Sequence, residues 1–528
     1  MGSAASKPVE AGAQEKLTEA LRAMELRNER ELVEKDYVYI DDARQSFPSA
    51  TAVPDTDTVF SAAPKYTPCE HQSTVSTSTT EKWEKELLED PKNQLALNAL
   101  QSNNANAILM NNRAAVGDTQ IFNLSIPLEG APVTNQRSSG RCWLFASLNV
   151  FRVSIMKKYK LDKFELSQQY VFYWDKIEKA NYFLENVLQT VDEPLDGRLL
   201  QSLLASPVGD GGQWDMVANL VQKYGLVPQS IYPDTFNAKS SSLMDRLITT
   251  KLREHAIKLR KLASSKNPAA QASIGGAKDK MMREIHLILT LMLGPPPAPS
   301  KAFTWEFYDK DKNFVSITTR PTAFAKELSD NRTVRACGGA DVHRLFSLIN
   351  DPRNSYNRLL TVNRLGNVWG GRPITYVNVD MTTMKKAVIE MLRKGFPVFF
   401  GSDVGKYSDS AKGIMDTALF DYELGFNTRL GLSKAERLMT GESAMTHAMV
   451  LTAVHLDEKT GKPVRWRVEN SWSEEAGSQG YFVMSDTWMD EFVYQAVVDP
   501  SVVSKEVRDV LKQDPVVLDL WDPMGALA

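Results

Sequence analysis

Cys142 lies in the tract Gln136-Arg137-Ser138-Ser139-Gly140-Arg141-Cys142-Trp143-Leu144-Phe145-Ala146, where a polar loop runs into an apolar helix. A helix start presents unpaired N–H groups and the positive end of the macrodipole, and both favour a thiolate over a thiol. Arg137 and Arg141 add positive charge, and Gly140 permits a tight backbone approach. Gln136, six residues upstream, carries a side-chain amide. Together with the Cys142 backbone N–H it can face an oxygen that turns negative during acyl transfer. A buried cysteine opening an ordinary helix is the competing reading, and only partners elsewhere in the chain decide against it.

Two downstream segments supply such partners. Gly441-Glu442-Ser443-Ala444-Met445-Thr446-His447-Ala448-Met449-Val450-Leu451-Thr452 reads as a loop entering a strand, with His447 near the entrance. Val464-Arg465-Trp466-Arg467-Val468-Glu469-Asn470-Ser471-Trp472 alternates, placing Val464, Trp466, Val468, Asn470 and Trp472 on one face. An asparagine on such a face needs a partner, because an unsatisfied buried amide costs about 1–3 kcal/mol. An imidazole N–H suits it. If the two strands are neighbours, Asn470 orients His447 toward Cys142 and Trp472 keeps water off that bond. Cys142, His447 and Asn470, with Gln136 as oxyanion donor, then form a Cys-His-Asn constellation for nucleophilic acyl transfer.

At this point the chain resembles the papain-type cysteine peptidases, in the order Cys, His, Asn, the upstream Gln, the Cys-Trp pair and the Asn-Ser-Trp triplet. More narrowly it is similar to the bleomycin hydrolases, a cytosolic aminopeptidase branch. The closer match is carried by Pro132-Val133-Thr134-Asn135-Gln136, Glu165-Leu166-Ser167-Gln168, Asp210-Gly211-Gly212-Gln213-Trp214, Val468-Glu469-Asn470-Ser471-Trp472 and the terminal Leu520-Trp521-Asp522-Pro523-Met524-Gly525-Ala526-Leu527-Ala528. The resemblance implies an α+β papain-like fold of two subdomains, a helical half and an antiparallel β-barrel half, with a helical insertion and a C-terminal arm. It also implies that the arm lies in the cleft, with the Ala528 carboxylate receiving the substrate's free amino group, so that cleavage counts from the N-terminus. A homohexamer with a lysine-rich channel and nucleic-acid binding is implied in the same way.

Composition agrees. The chain has 528 residues, 43% hydrophobic and 24% charged, with a net charge of −3, which is globular and argues against dedicated nucleic-acid binding. Cys69, Cys142 and Cys337 give no disulfide framework and point to a reducing compartment, so a cytoplasmic location is expected. The sequence shows no secretory signal and no apolar run long enough for a membrane helix. Histidine spacing suggests no metal site, and the chemistry needs no cofactor.

Along the chain, residues 1–92 read as an N-terminal extension, helical over 14–35 and linker-like over 46–80. Met1-Gly2-Ser3-Ala4-Ala5-Ser6 fits the spacing for myristoylation of Gly2. The peptidase domain spans 93–528, with an insertion over about 230–360 and the arm over about 513–528. Helices are expected at 164–179, 384–394 and 502–512, with another started by Asp210-Gly211-Gly212-Gln213-Trp214. Gly211 and Gly212 either let a substrate backbone lie close or make a tight turn. With Trp472 and Ala528 they are the substrate-facing candidates.

The insertion carries Lys251, Arg253, Lys258, Arg260, Lys261, Lys266, Lys278, Lys280 and Arg283, a solvated face or the channel patch. No aromatic residues interleave with them to stack single-stranded bases. Two other classes of function compete with the hydrolase: a nucleic-acid-binding or assembly protein on a silent papain-like scaffold, and a transglutaminase-like transferase. The intact Cys142, His447, Asn470 and Gln136 oppose the first. A terminal arm at the cleft leaves little room for the second's acceptor channel.

Overall fold

The computed structural model describes residues 75–326 and 344–527. Gly2, the 14–35 segment, Cys69, Cys337 and Ala528 lie outside these residues. The chain divides into Met1–Thr77 and Ser78–Ala528, and the second unit contains all of the site chemistry described below. Residues 77–80, read from sequence as linker, belong to the helix Thr77–Leu88, which is followed by Pro91–Leu100.

At the centre is the helix Cys142–Tyr159, whose residues from Cys142 to Leu148 are all buried, polar Ser147 included. A helix buried on every side has no solvent face to report in a periodicity, and here it packs between helices and sheet. It ends at Lys160, whose left-handed φ of 52° closes the last turn. Next comes Gln168–Gln189, later than 164–179, because the Ser167 side chain accepts the Tyr170 N–H and sets the true start. Trp214–Tyr224 begins where expected.

The expected antiparallel barrel is not what the chain forms. Among the described residues the β-structure is an open twelve-stranded mixed sheet, from Val516–Leu518 at one end of its main path to Ser408–Asp409 at the other, plus a separate hairpin of Phe303–Tyr308 and Phe314–Thr319. Phe346–Ile349 with Tyr376–Asn378, Arg358–Val362 with Val516–Leu518, and Tyr481–Ser485 with Ile414–Met415 pair in parallel. Alternation in a sequence says which residues share a face; it does not say whether a sheet closes on itself. Phe346–Ile349 and Arg358–Val362, within the stretch read as insertion, are strands of this main sheet.

The same stretch also holds the packed helix pair Ser242–Ala263 and Ile274–Leu293, with Met244, Ile248, Leu252, Leu259, Ile285 and Leu289 fully buried. Residues 502–512 do not make one helix: Ser504 caps a short new helix, Lys505–Asp509, between two 3-10 turns. No helix among the described residues is long and apolar enough to cross a membrane.

Candidate active site

Three strands build one wall of the site. Val398–Ser402 pairs antiparallel with His447–Leu456, which pairs antiparallel with Pro463–Glu469. His447 is the first residue of its strand, opposite Ser402, and Asn470 follows directly on the last residue of the third strand. The neighbours assumed from sequence are therefore neighbours in space. The His447 Nε2 and the Asn470 Oδ1 are 2.8 Å apart, and the Trp472 ring lies 4.8 Å from the imidazole, tilted by 32°. Asn470 Oδ1 also accepts the Ser471 N–H at 2.8 Å, whereas its Nδ2 is buried without a hydrogen-bond partner among the described residues. Only the oxygen half of the expected satisfaction is met.

The other wall is the loop before Cys142. Gln136 ties the walls together: its backbone N–H donates to the Ser471 carbonyl at 2.8 Å, and its Oε1 accepts the Ser471 hydroxyl at 2.7 Å. That bond fixes the amide's orientation, so its nitrogen faces the nucleophile loop and donates to the Ser139 carbonyl at 2.7 Å. Arg137 adopts φ 57°, a left-handed conformation rare for arginine, with its N–H donating to Asn135 Oδ1.

Arg141 does not lend its charge to the thiol. It is fully buried and donates to both oxygens of Asp234, at 3.0 and 2.8 Å, and to the Ser139 hydroxyl at 2.9 Å. Its guanidinium also lies against the rings of Phe145 and Phe172. It anchors the helix start instead of polarising it.

Cys142 and His447 are each only 1% exposed. Burial pushes the thiol up to about 11, against the pull of the backbone N–H groups of Ala448, Trp143 and Cys142 itself. Burial pushes the imidazole down to about 4, against the pull of its bond to Asn470. The helix start does favour thiolate, as expected, but desolvation outweighs it. Burial thus disfavours the charge on either group taken singly. The Ala448 N–H, one residue past His447, is among the groups that pull the thiol down, and the Cys142 helix packs on the His447 strand. His447 Nδ1 is buried with no hydrogen-bond partner among the described residues, while Nε2 is held by Asn470.

Gly211 and Gly212 lie along the nucleophile wall. A Cβ on Gly212 would come within 2.5 Å of the Trp143 indole, so glycine is required there by packing on the residue after the nucleophile. The Gly211 carbonyl accepts the Lys179 ammonium at 2.6 Å. The next residue, Gln213, is fully buried and donates its amide to the Ala526 carbonyl at 2.6 Å. The chain's last described residues are further held by a 2.8 Å ion pair of Asp522 with Arg353, by Arg198 over the Trp521 ring at 4.3 Å, and by burial of Met524.

Sequence reasoning missed the groups that brace the walls against each other. Arg152, on the Cys142 helix, forms a buried 2.5 Å ion pair with Glu469, the residue before Asn470. Glu469 falls on the face of its strand that alternation marks as polar, and nothing local signals that a buried arginine waits there. Asp210 and Asp234 were likewise given no role.

His455 sits near the far end of the His447 strand, opposite Arg465 and away from the loop entrance. His255 contacts Glu284 at 3.1 Å, and His286 lies edge-on to Tyr173. Among the described residues no group of three metal-binding side chains occurs. The basic insertion residues are largely engaged within the protein: Lys251 and Lys258 with Glu254, Lys278 with Glu185, Arg283 with Asp279, and Arg253 and Arg260 with backbone carbonyls.

The fold and this constellation define a papain-like cysteine peptidase. The Peptidase C1-like family model matches residues 74–525, and the chain belongs to that family. It is 42% identical over 463 residues to the cysteine proteinase 1, mitochondrial, of Saccharomyces cerevisiae, covering 86% of this chain and 93% of the relative. It is 42% identical over 452 residues to the bleomycin hydrolase of Homo sapiens, covering 83% and 95%. The crystal structure of PepW from Lactobacillus rhamnosis superposes with a TM-score of 0.81 at 44% identity, covering 86% of this chain and all of that one. The chain is thus a homologue of the bleomycin hydrolases and a cysteine peptidase.

Proposed function

We propose that this peptidase is an aminopeptidase working through Cys142, His447 and Asn470. His447 Nδ1 takes the thiol proton, and the sulfur attacks the substrate carbonyl carbon, moving its π electrons onto oxygen. The Cys142 N–H and the Gln136 amide stabilise that oxyanion. Collapse breaks the C–N bond, and the departing amine takes the proton from His447. Water, deprotonated by the same imidazole, then cleaves the thioester and frees the acid. Because burial disfavours each charge singly, the thiolate and imidazolium arise together, and the pair's pH profile belongs to both groups.

One observation carries the exopeptidase reading: the bond from Gln213 to the Ala526 carbonyl, which holds Ala526 at the residue that follows Gly211 and Gly212. A terminal carboxylate there attracts a substrate ammonium and blocks the continuation of a longer peptide. Gly211, Gly212 and Trp472 line the substrate, and Ala528 receives its amino group. On the same reading the enzyme works in the cytoplasm as a homohexamer on peptides with free N-termini. Weak nucleic-acid binding is the lesser alternative, since Lys251, Lys258, Lys278 and Arg283 of the basic insertion are paired with carboxylates.

The test compares aminoacyl-coumarin amides with their N-acetylated forms, in the full chain and after deletion of residues 525–528. The full chain should cleave only free amines, and the truncated chain should accept both. A truncated enzyme that still refuses acetylated substrates would show that the arm is not the gate.

A further inference from the structure

Asp210 touches the nucleophile loop on both sides of Cys142. Its Oδ2 accepts the Gly140 N–H at 2.9 Å, and its main-chain carbonyl accepts the Trp143 indole N–H at 2.7 Å. A Cβ on Gly140 would stand 2.8 Å from the Asp210 Cβ, so the glycine at 140 answers to this side chain lying against it. Gly140, two positions before Cys142, and Trp143, one after it, are therefore held by a single residue.

Asp210 is in turn held by the insertion. The Ser241 hydroxyl donates to Oδ2 at 2.5 Å, directly before the helix Ser242–Ala263. The wholly buried Lys176 ammonium lies 2.6 Å from Asp210 and 2.6 Å from Asp245, in the first turn of that helix. Burial pushes the Asp245 carboxyl up to about 8 against the pull of Lys176, with Asp210 adding to the rise. The two carboxyl groups thus share one ammonium, which pulls Asp210 down while Asp245 is held up. Apolar side chains of similar volume commonly give equal or greater stability than buried ions, so an ionic cluster at this spot points to position more than to strength.

We infer that Asp210 is a positioning residue for acyl transfer, set by the insertion helix: through Gly140 and Trp143 it aims the amide-bearing loop around Cys142 at the substrate carbonyl. It does not touch the reacting atoms, and the inference rests on Cys142 being the nucleophile. Amide hydrolysis passes through an oxyanion and depends on that aim. Alkylation by iodoacetamide does not: the sulfur forms an S–C bond, iodide leaves with the C–I electrons, and the thiol proton passes to the base.

The experiment measures both reactions on full-length Asp210→Asn and Ser241→Ala, with alkylation mapped to Cys142 by mass spectrometry and Cys142→Ala as the blank. For Asp210→Asn, kcat on an aminoacyl-coumarin amide should fall roughly 10- to 100-fold while KM stays within about threefold and the alkylation rate does not fall, because the lost Asp210 charge had raised the Cys142 thiol. Ser241→Ala should lower kcat about threefold while its alkylation rate stays at the wild-type value. An unchanged kcat in folded Asp210→Asn, or kcat and alkylation falling in step, overturns the inference. Should Asp210→Asn fail to fold, Ser241→Ala decides by the same split. A wild-type chain not alkylated at Cys142 overturns the nucleophile assignment instead, so the two failures are distinguishable.

Discussion

The two walls of the site are held by different physics. His447 and Asn470 stand at the ends of neighbouring strands, where a ladder of backbone hydrogen bonds fixes their separation and one side-chain bond finishes the alignment. Cys142 starts a helix out of an irregular loop, and that loop is pinned by buried charges drawn from remote parts of the chain: Arg141 with Asp234, and Lys176 with Asp210 and Asp245. A ladder repeats, so losing one side chain leaves the frame standing. A loop does not repeat, and each anchor there is singular.

This contrast can be broken most severely at the nucleophile itself. Cys142→Ala should retain the fold and lose on the order of 10⁴-fold or more in kcat, since removing one member of a concerted set costs nearly as much as removing all. Amide turnover assays with a melting curve decide this, and appreciable residual turnover would reassign the nucleophile.

Breaking an anchor should instead cost stability. Arg141→Met leaves Asp234, whose side chain is 9% exposed, without its counterion. Removing one partner of a buried pair costs about 3–5 kcal/mol, so denaturant unfolding should show a loss of that size. A variant as stable as wild type would mean the loop does not depend on its ionic anchor.

The pH dependence sharpens the comparison further, because each wall holds one buried neutral group. The His447 pKa falls from its ordinary 6.5 to about 4, so its contribution is present above 6.5 and is lost as pH drops toward 4. The Cys142 pKa rises from its ordinary 9.0 to about 11, so its contribution is present below 9.0 and is lost as pH climbs toward 11. At about 1.4 kcal/mol per pH unit, each limb is worth up to ~3 kcal/mol. His447→Gln should flatten the acid limb of a stability profile and leave the alkaline one, and an unchanged acid limb would disprove the assignment.

The smallest effect is expected at Asn470. Asn470→Ala removes the partner of His447 Nε2 while the strands keep their register, so stability should fall by only about 1–3 kcal/mol. Turnover should fall by roughly 10- to 100-fold through loss of orientation. A loss as large as that of Cys142→Ala would make the asparagine more than an orienting group.

Much of the base wall was legible. Alternation from Val464 to Trp472 placed Asn470 on the face with Trp466 and Val468, and the glycine-punctuated entry to His447 marked where its strand begins. These are short-range signals, because strand periodicity and turn chemistry are written in consecutive residues. The loop before Cys142 was legible in its composition and not in its anchoring. Arg141 read as a charge for the thiol, yet its guanidinium is neutralised by Asp234, far along the chain. The thiolate-favouring helix start was likewise correct as a local force, and burial, which the local sequence does not encode, overrode it. The barrel expectation failed for a related reason: pairing partners such as Arg358–Val362 and Val516–Leu518 are separated by crossovers that periodicity does not register.

By itself the sequence determined the types of reacting group and their order along the chain, since a thiol, an imidazole and an amide with glycine, tryptophan and strand signals beside them admit few chemistries. Only the tertiary structure decided which imidazole nitrogen bonds to Asn470, that burial disfavours charge on either partner, and that Asp210, Lys176 and the insertion reach the loop before Cys142. Local backbone preference acts over a few residues, whereas desolvation and ion pairing depend on whatever the fold brings within a few ångströms.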